Sequence, residues 1–462
     1  MKTHVWMLAL AAGLTAAALP AADPKLQVVE MKLAPAAVAQ PALKYQLLPN
    51  YLDLTPGDAV PMYLKAMARE ATSNEARDLF FKQFQGWLAT PPTKLPVEAV
   101  KKALAPFDSV LRQASIAARR IDCRWDPPVR EEPNPFTILL PELQEFRNLG
   151  RLLAVRVHLA LAEHKYAAAL RDLQTGYAMA RHVGQMPFLV SSLVAATIAS
   201  QMNGELEAWV QMPGTPNLYW AIATLPQPIV DFRAGYELES AAVYLALPQM
   251  RVRGDAGERD AISPAVVERL VNLARMLEPE ADLLKLNNHQ ELPKLAVKAR
   301  AELIAHGHAA KQVEALTPSQ TVALNAFEGY DEFRDDMFKW LALPYAQAKA
   351  GMEQADARLN AAAKAGAPRA ALAGVLLPAV GHTKFVEARL GRHLNALRTI
   401  EALRAYAAAT GKLPTTLADV KDLPIPLNPV TGQAFPYRVE GQTATLTADG
   451  PQDRERTEYR LR

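Results

Sequence analysis

Apolar residues along most of this chain recur at helical pitch. Tyr166, Ala169, Leu170, Leu173, Tyr177 and Ala180 follow steps of three and four, and Val190, Leu193, Val194 and Ile198 repeat the pattern in the next segment. Each stretch presents one apolar stripe, which must be buried against neighbouring helices. Breakers separate the stretches: Pro91-Pro92, Pro127-Pro128, Pro133 with Pro135, Pro187, Pro213 to Pro216, Pro226 with Pro228, Pro293 and Pro318. They predict helices of roughly 12 to 25 residues between about Tyr45 and Gly366. No strand-like alternation is visible before residue 430.

The pattern changes at both ends. Residues 1–22 carry Lys2, an apolar stretch from Val5 to Leu19 and small residues after it, which reads as an export signal cut between Ala18 and Ala22. A retained membrane anchor is the alternative, but the apolar run is shorter than the ~20 residues of a spanning helix. Residues 23–43, rich in Ala, Pro and Val without period, predict a flexible tether. No span follows, since the apolar stretch Ala371 to Val380 is short and contains Pro378.

At the other end, Phe385, Val386, Leu390, Leu394, Leu397, Ile400, Leu403 and Ala407 write a long amphipathic helix, stopped by Gly411-Lys412-Leu413-Pro414. A short helix is predicted in Thr415 to Asp422. Gln433 to Glu440 and Thr443 to Thr447 then predict two strands around Gly441-Gln442, with Glu458 to Leu461 as a third.

Three resemblances attach to these stretches. Leu149 to Ala180, with its Glu163-His164-Lys165 loop and Tyr166, Ala169, Leu173 and Gly176, resembles one tetratricopeptide helical hairpin, without a second copy at a fixed period. The segment from Phe385 through Tyr406, Gly411-Lys412-Leu413-Pro414, Leu417, Leu427-Asn428-Pro429-Val430-Thr431-Gly432-Gln433 and Tyr437 resembles the globular head of type II secretion pseudopilins. A pseudopilin's own apolar helix follows its leader directly. Here the head-like segment ends a long chain, so a pilus subunit is not expected. That resemblance implies a loop that can hold calcium, for which Asp449 and Asp453 are the nearest carboxylates, although their spacing favours solvated side chains. Tyr45 to Pro49, Pro56 to Ala59, Cys123-Arg124-Trp125, Asn217-Leu218-Tyr219-Trp220 and Leu427 to Pro436 also resemble a family of exported bacterial proteins that carries no known activity. The predicted fold is mainly α: an irregular helical array with tetratricopeptide-like helix pairing over 44–366, then a small C-terminal α+β domain over 367–462 made of a long helix and a β-hairpin.

Composition narrows the function classes. With 462 residues, 21% of them charged and 50% hydrophobic, the chain is neither disordered nor fibrous. Its net charge of +3 lies in the segment from Lys384 onward, where 12 Lys and Arg face 9 Asp and Glu. Neither part is a nucleic-acid footprint. The basic face of the C-terminal helix, with Lys384, Arg389, Arg392, His393, Arg398 and Arg404, is interrupted by Glu387 and Glu401 and reads as ordinary surface charge.

Cys123 is the only cysteine, which excludes an intrachain disulfide and a thiolate metal site; its only local cations are Arg119, Arg120 and Arg124, so a buried, inert thiol is expected. His306-Gly307-His308 reads as a solvated loop, and the carboxylates Glu328, Asp331, Glu332, Asp335 and Asp336 as the watered face of a helix whose core stripe includes Phe327, Tyr330 and Phe338. No nucleophile elbow, Walker loop or dinucleotide fingerprint occurs, and no cofactor or metal is expected.

The segment singled out for binding is Tyr219-Trp220 with Asp231 and Arg233, the alternative being that the two rings anchor the helical array and the charges pair locally. The expectation is an exported, periplasmic or extracellular protein without enzymatic activity, serving as an interaction or scaffold module for a protein partner in the cell envelope. The alternatives are an exported hydrolase with an unfamiliar carboxylate/His site and an accessory protein of a secretion system.

Overall fold

The computed structural model describes residues 25–68, 72–132, 134–251, 262–277, 290–450 and 455–462. The segment read as an export signal lies outside them. Helices dominate the described residues, and strands are confined to two small sheets. The described chain divides into two units, one of 128–139 with 236–385, the other of 25–127, 140–235 and 386–462.

In the larger unit three successive helices form the main layer: α1 (Glu142–Ala162), α2 (Tyr166–Gly184) and α3 (Leu189–Trp209). The stripe read from the sequence is the buried one, with Ala169, Leu173, Tyr177 and Ala180 all inaccessible. Helices α1 and α2 form the expected hairpin, turned through Glu163-His164-Lys165 with His164 at φ 57°. Where α2 meets α3, a Cβ on Gly176 would lie 2.2 Å from the Met202 sulfur, so the close approach requires glycine.

The smaller unit is assembled around α5 (Pro318–Leu341), with α4 (Arg233–Ala246) before it and α6 (Tyr345–Lys364) after it. A reciprocal cap starts α5: the Gln320 N–H donates to Thr317 Oγ1 at 3.4 Å, and the Thr317 N–H donates to Gln320 Oε1 at 3.0 Å. Val322, Ala326, Phe327 and Tyr330 on its inner face enter a core shared with Val266, Leu270, Leu359 and Leu377.

Helix α7 (Pro378–Thr410) carries the chain back into the larger unit, where its Ala396, Ile400 and Leu403 support a four-stranded sheet of order β1-β6-β5-β4. The strands are β1 (Lys25–Met31), β4 (Tyr437–Glu440), β5 (Thr443–Asp449) and β6 (Glu455–Leu461). Strands β4, β5 and β6 are antiparallel, as the hairpin reading predicts; β1 runs parallel to β6, with Lys25 opposite Glu455 and Met31 opposite Leu461. The second sheet pairs β2 (Thr55–Asp58) with β3 (Arg120–Asp122) in parallel.

Three expectations need correction. The stretch read as a tether at 23–43 contains β1 and continues into the core with Leu33. Strands therefore occur well before residue 430, since β1, β2 and β3 all precede it. The chain passes between units at 385/386 and not at 366/367, and residues 386–462 share one unit with 25–127 and 140–235. The physical cause is a set of long-range polar ties. Buried Arg404 on α7 donates to the Ala34 carbonyl at 2.7 Å, to the Thr215 hydroxyl at 2.9 Å and to both oxygens of buried Glu401 at 2.8 and 3.0 Å. A buried guanidinium must find acceptors, and beside neighbouring Glu401 these come from two distant parts of the chain, Ala34 and Thr215.

Candidate functional site

A concavity of about 820 Å³ lies wholly within the larger unit. Helix α3 contributes Thr197, Ser200, Gln201 and Glu207; α7 contributes Val386, Arg389, Leu390, Arg392 and His393 at helical spacing. The sheet closes the cleft with Leu26 and Gln27 on β1, Ala448 on β5, and Glu455, Arg456, Thr457 and Tyr459 on β6.

Its polar groups are arranged in two sets. His393 Nε2 lies 2.8 Å from Glu207, to which the Tyr459 hydroxyl also donates at 3.3 Å. Burial and the neighbouring Glu207 hold the Tyr459 phenol well above its ordinary pKa, so it stays a donor. The second set is basic. Arg389 and Arg392 face the Glu455 carboxylate at 3.5 and 3.8 Å, and Arg392 also donates to the Glu455 carbonyl at 3.2 Å. The Arg392 side chain is only 7% exposed, and burial lowers its pKa against the opposing pull of Glu455. Arg456 stands 3.5 Å from each of Asp449 and Glu458. Such a cleft can hold an anionic group beside an apolar wall.

The residues singled out for binding serve packing and capping. Tyr219 is fully buried; its hydroxyl donates to the Pro424 carbonyl and accepts from Arg398 at 2.8 Å, with that guanidinium 4.8 Å above the ring. Trp220 packs edge-on against it at 5.0 Å. The neighbouring Asn217 amide donates to the carbonyls of Ala36 and Glu401 at 3.1 and 2.8 Å, so this motif ties three chain segments together. Asp231 accepts from the backbone N–H of Arg233 at the start of α4 and pairs with its guanidinium at 2.5 Å.

The other chemical candidates are engaged locally. Burial, with help from Asp58, pushes the Cys123 thiol up to about 12, and its sulfur faces the His182 carbonyl at 4.0 Å. The His182 ring is bound at Nδ1 by the Tyr63 hydroxyl at 3.0 Å, and burial pushes its pKa down to about 4. The raised pKa keeps that thiol protonated at neutral pH. His306-Gly307-His308 forms a loop in which His306 and Gly307 are exposed and His308 is half-buried, and this loop meets the acidic helix: His308 lies 2.8 Å from Glu328, and His306 lies 3.9 Å from Glu332. Arg369 also pairs with Glu332 at 2.8 Å, Asp331 and Asp335 pair with Arg334, and Asp336 pairs with Lys339 and Arg358. These carboxylates are mostly half-buried ion-pair partners where a watered face was expected. Among the described residues no three His, Cys, Asp or Glu side chains converge to hold a metal. Asp449 pairs with Arg456, and Asp453 lies outside the described residues.

Sequence reading missed a buried dyad and the cleft itself. His158 donates from Nε2 to the Thr90 carbonyl at 2.8 Å and meets Glu205 through Nδ1 at 2.9 Å. Burial opposes a charged ring, but these two acceptors hold the His158 pKa above its ordinary value. In the sequence the cleft arginines look like ordinary surface charge on the C-terminal helix, and the helical spacing of Arg389 and Arg392 is the signal that places them together. Among the described residues, no helix is long and apolar enough to cross a membrane. Comparison with known proteins returns no matching protein family, no matching curated protein and no matching solved structure.

Proposed function

We propose that this protein is an exported, non-enzymatic interaction module that engages a protein partner of the cell envelope through the cleft between α3, α7 and the C-terminal sheet. The export assignment draws on Lys2 and the apolar stretch that follows it. The cleft carries the reading of recognition: about 820 Å³ of concave surface, with an apolar wall and a basic rim, and with His393 already satisfied by Glu207. The one imidazole among the cleft residues, His393, is bound at Nε2 by the Glu207 carboxylate, which fixes the ring beside the basic rim.

The test is site-specific photo-crosslinking in intact cells, with a photoreactive residue at Thr197 or Val386 in the cleft and at exposed Leu139 in the other unit as control. A discrete adduct from the cleft positions and none from Leu139 is the expected result. Adducts absent from every cleft position of a folded protein would remove the proposal.

A further inference from the structure

Arg392 in the cleft is held unlike Arg404, a guanidinium of comparable burial. Arg404 donates to both oxygens of Glu401 at 2.8 and 3.0 Å, to the Thr215 hydroxyl at 2.9 Å and to the Ala34 carbonyl at 2.7 Å. Arg156, on a less buried pair, meets Asp172 at 2.5 and 2.8 Å in the forked geometry of a guanidinium and a carboxylate. In the cleft the corresponding distances are 3.5 Å for Arg389 and 3.8 Å for Arg392, both to the single carboxylate of Glu455. Arg392 is the more telling of the two. Its side chain is 7% exposed, and its one hydrogen bond among the described residues, at 3.2 Å, goes to a backbone carbonyl, although a guanidinium offers five donors. A charge so far removed from water is costly unless well paired, and Glu455 is shared between two cations at loose range.

From this mismatch we infer that the cleft receives an acidic peptide segment, one side-chain carboxylate of which takes the place of Glu455 on Arg389 and Arg392. The inference rests on the reading of the cleft as the recognition surface. A planar carboxylate fits the guanidinium fork in two parallel hydrogen bonds. An isolated inorganic anion would satisfy the arginines but leave exposed Leu26 and half-buried Val386 uncovered, whereas apolar residues flanking an acidic one would cover them. A cleft of about 820 Å³ admits a segment of several residues. Glu455 is then a resident competitor that the incoming carboxylate displaces.

The full-length protein is titrated with a fluorescein-labelled peptide of sequence Leu-Asp-Val-Glu-Leu, followed by anisotropy. The comparators are Leu-Asn-Val-Gln-Leu and inorganic phosphate as competitor. Binding of the acidic peptide, at least tenfold loss with the amide peptide and with Arg392→Gln, and several-fold tighter binding with Glu455→Gln are expected. The last result separates a competitor from a structural prop, and near-UV circular dichroism checks that each variant is folded. Equal binding of the amide peptide, unchanged or weaker binding by Glu455→Gln, or displacement of the peptide by phosphate as effective as by unlabelled peptide would each overturn the inference. Failure of the acidic peptide with both wild type and Glu455→Gln also overturns it, while cleft-specific photo-adducts in cells would leave the recognition surface standing.

Discussion

Glu239 on α4 gives the most quantitative prediction. Its carboxyl borders a void of about 10 Å³ lined by Phe136, Val243, Tyr330, Phe338, Leu376 and Val380, room for no more than about one water. Burial there pushes its pKa from the ordinary 4.5 up to about 7. Between those two values the folded protein keeps a proton that the unfolded chain has released, so stability falls as pH rises from about 4.5 to about 7 and is level beyond. At 1.36 kcal/mol per unit, a shift of this size corresponds to roughly 3 kcal/mol, and the partial solvent contact of the residue trims this to about 2 kcal/mol. Glu239→Gln supplies a neutral side chain of the same shape. It should match the wild type near pH 4 and exceed it by about 2 kcal/mol at pH 8. Urea unfolding of the two proteins at half-unit intervals from pH 4 to pH 8 measures the difference, and carboxyl-labelled NMR reads the titration directly. A stability difference independent of pH, or a glutamine variant weaker than wild type at pH 8, would refute the reasoning.

Other expectations follow from the same geometry. Arg404→Ala should cost about 3–5 kcal/mol in urea unfolding by leaving Glu401 buried without its counter-charge, and removing Glu401 as well should recover part of that loss. Cys123, raised from 9.0 to about 12, carries about a thousandfold less thiolate than an ordinary cysteine. Native protein should therefore be alkylated by iodoacetamide at least about a hundredfold more slowly than urea-unfolded protein, as read by mass spectrometry. Gly329→Ala and Gly86→Ala should move thermal stability in opposite directions. A Cβ at Gly329 would lie 2.0 Å from the Arg369 carbonyl oxygen, whereas one at Gly86 in the helix Asn74–Ala89 meets nothing within 4 Å. The first should destabilise by several kcal/mol, and the second should stabilise by about 0.5–1 kcal/mol.

The helices were legible because their signal is local. The stripe from Ala169 to Ala180 can be read from one window of sequence, and the stop at Gly411, with φ 77°, needs only the glycine and the following proline. The hairpin of β4 and β5 was legible for the same reason, its turn being Gly441 at φ 62° between neighbouring strands. Strand β1 was not. Its residues Leu26, Val28, Val29 and Met31 keep no strict alternation, it borders an Ala/Pro-rich stretch, and its ladder partner lies at the far end of the chain. The cleft was illegible in the same sense. Arg389 and Arg392 can be placed on one helix face from their spacing, but their loose hold depends on where Glu455 lands, which no local pattern encodes. Tyr219 looked like a binding ring because large aromatic residues serve interfaces and cores alike, and only burial separates the two uses.

The pairing of Lys25–Met31 with Glu455–Leu461 has a kinetic consequence. In a polypeptide emerging from the ribosome, the edge of β1 that pairs with β6 stays open until β6 has been made, by which time 128–139 and 236–385 are both present to form their own unit. That unit can assemble before the sheet closes. Strand β6 then acts as a latch, and any chain cut short before it would leave β1 without its mate.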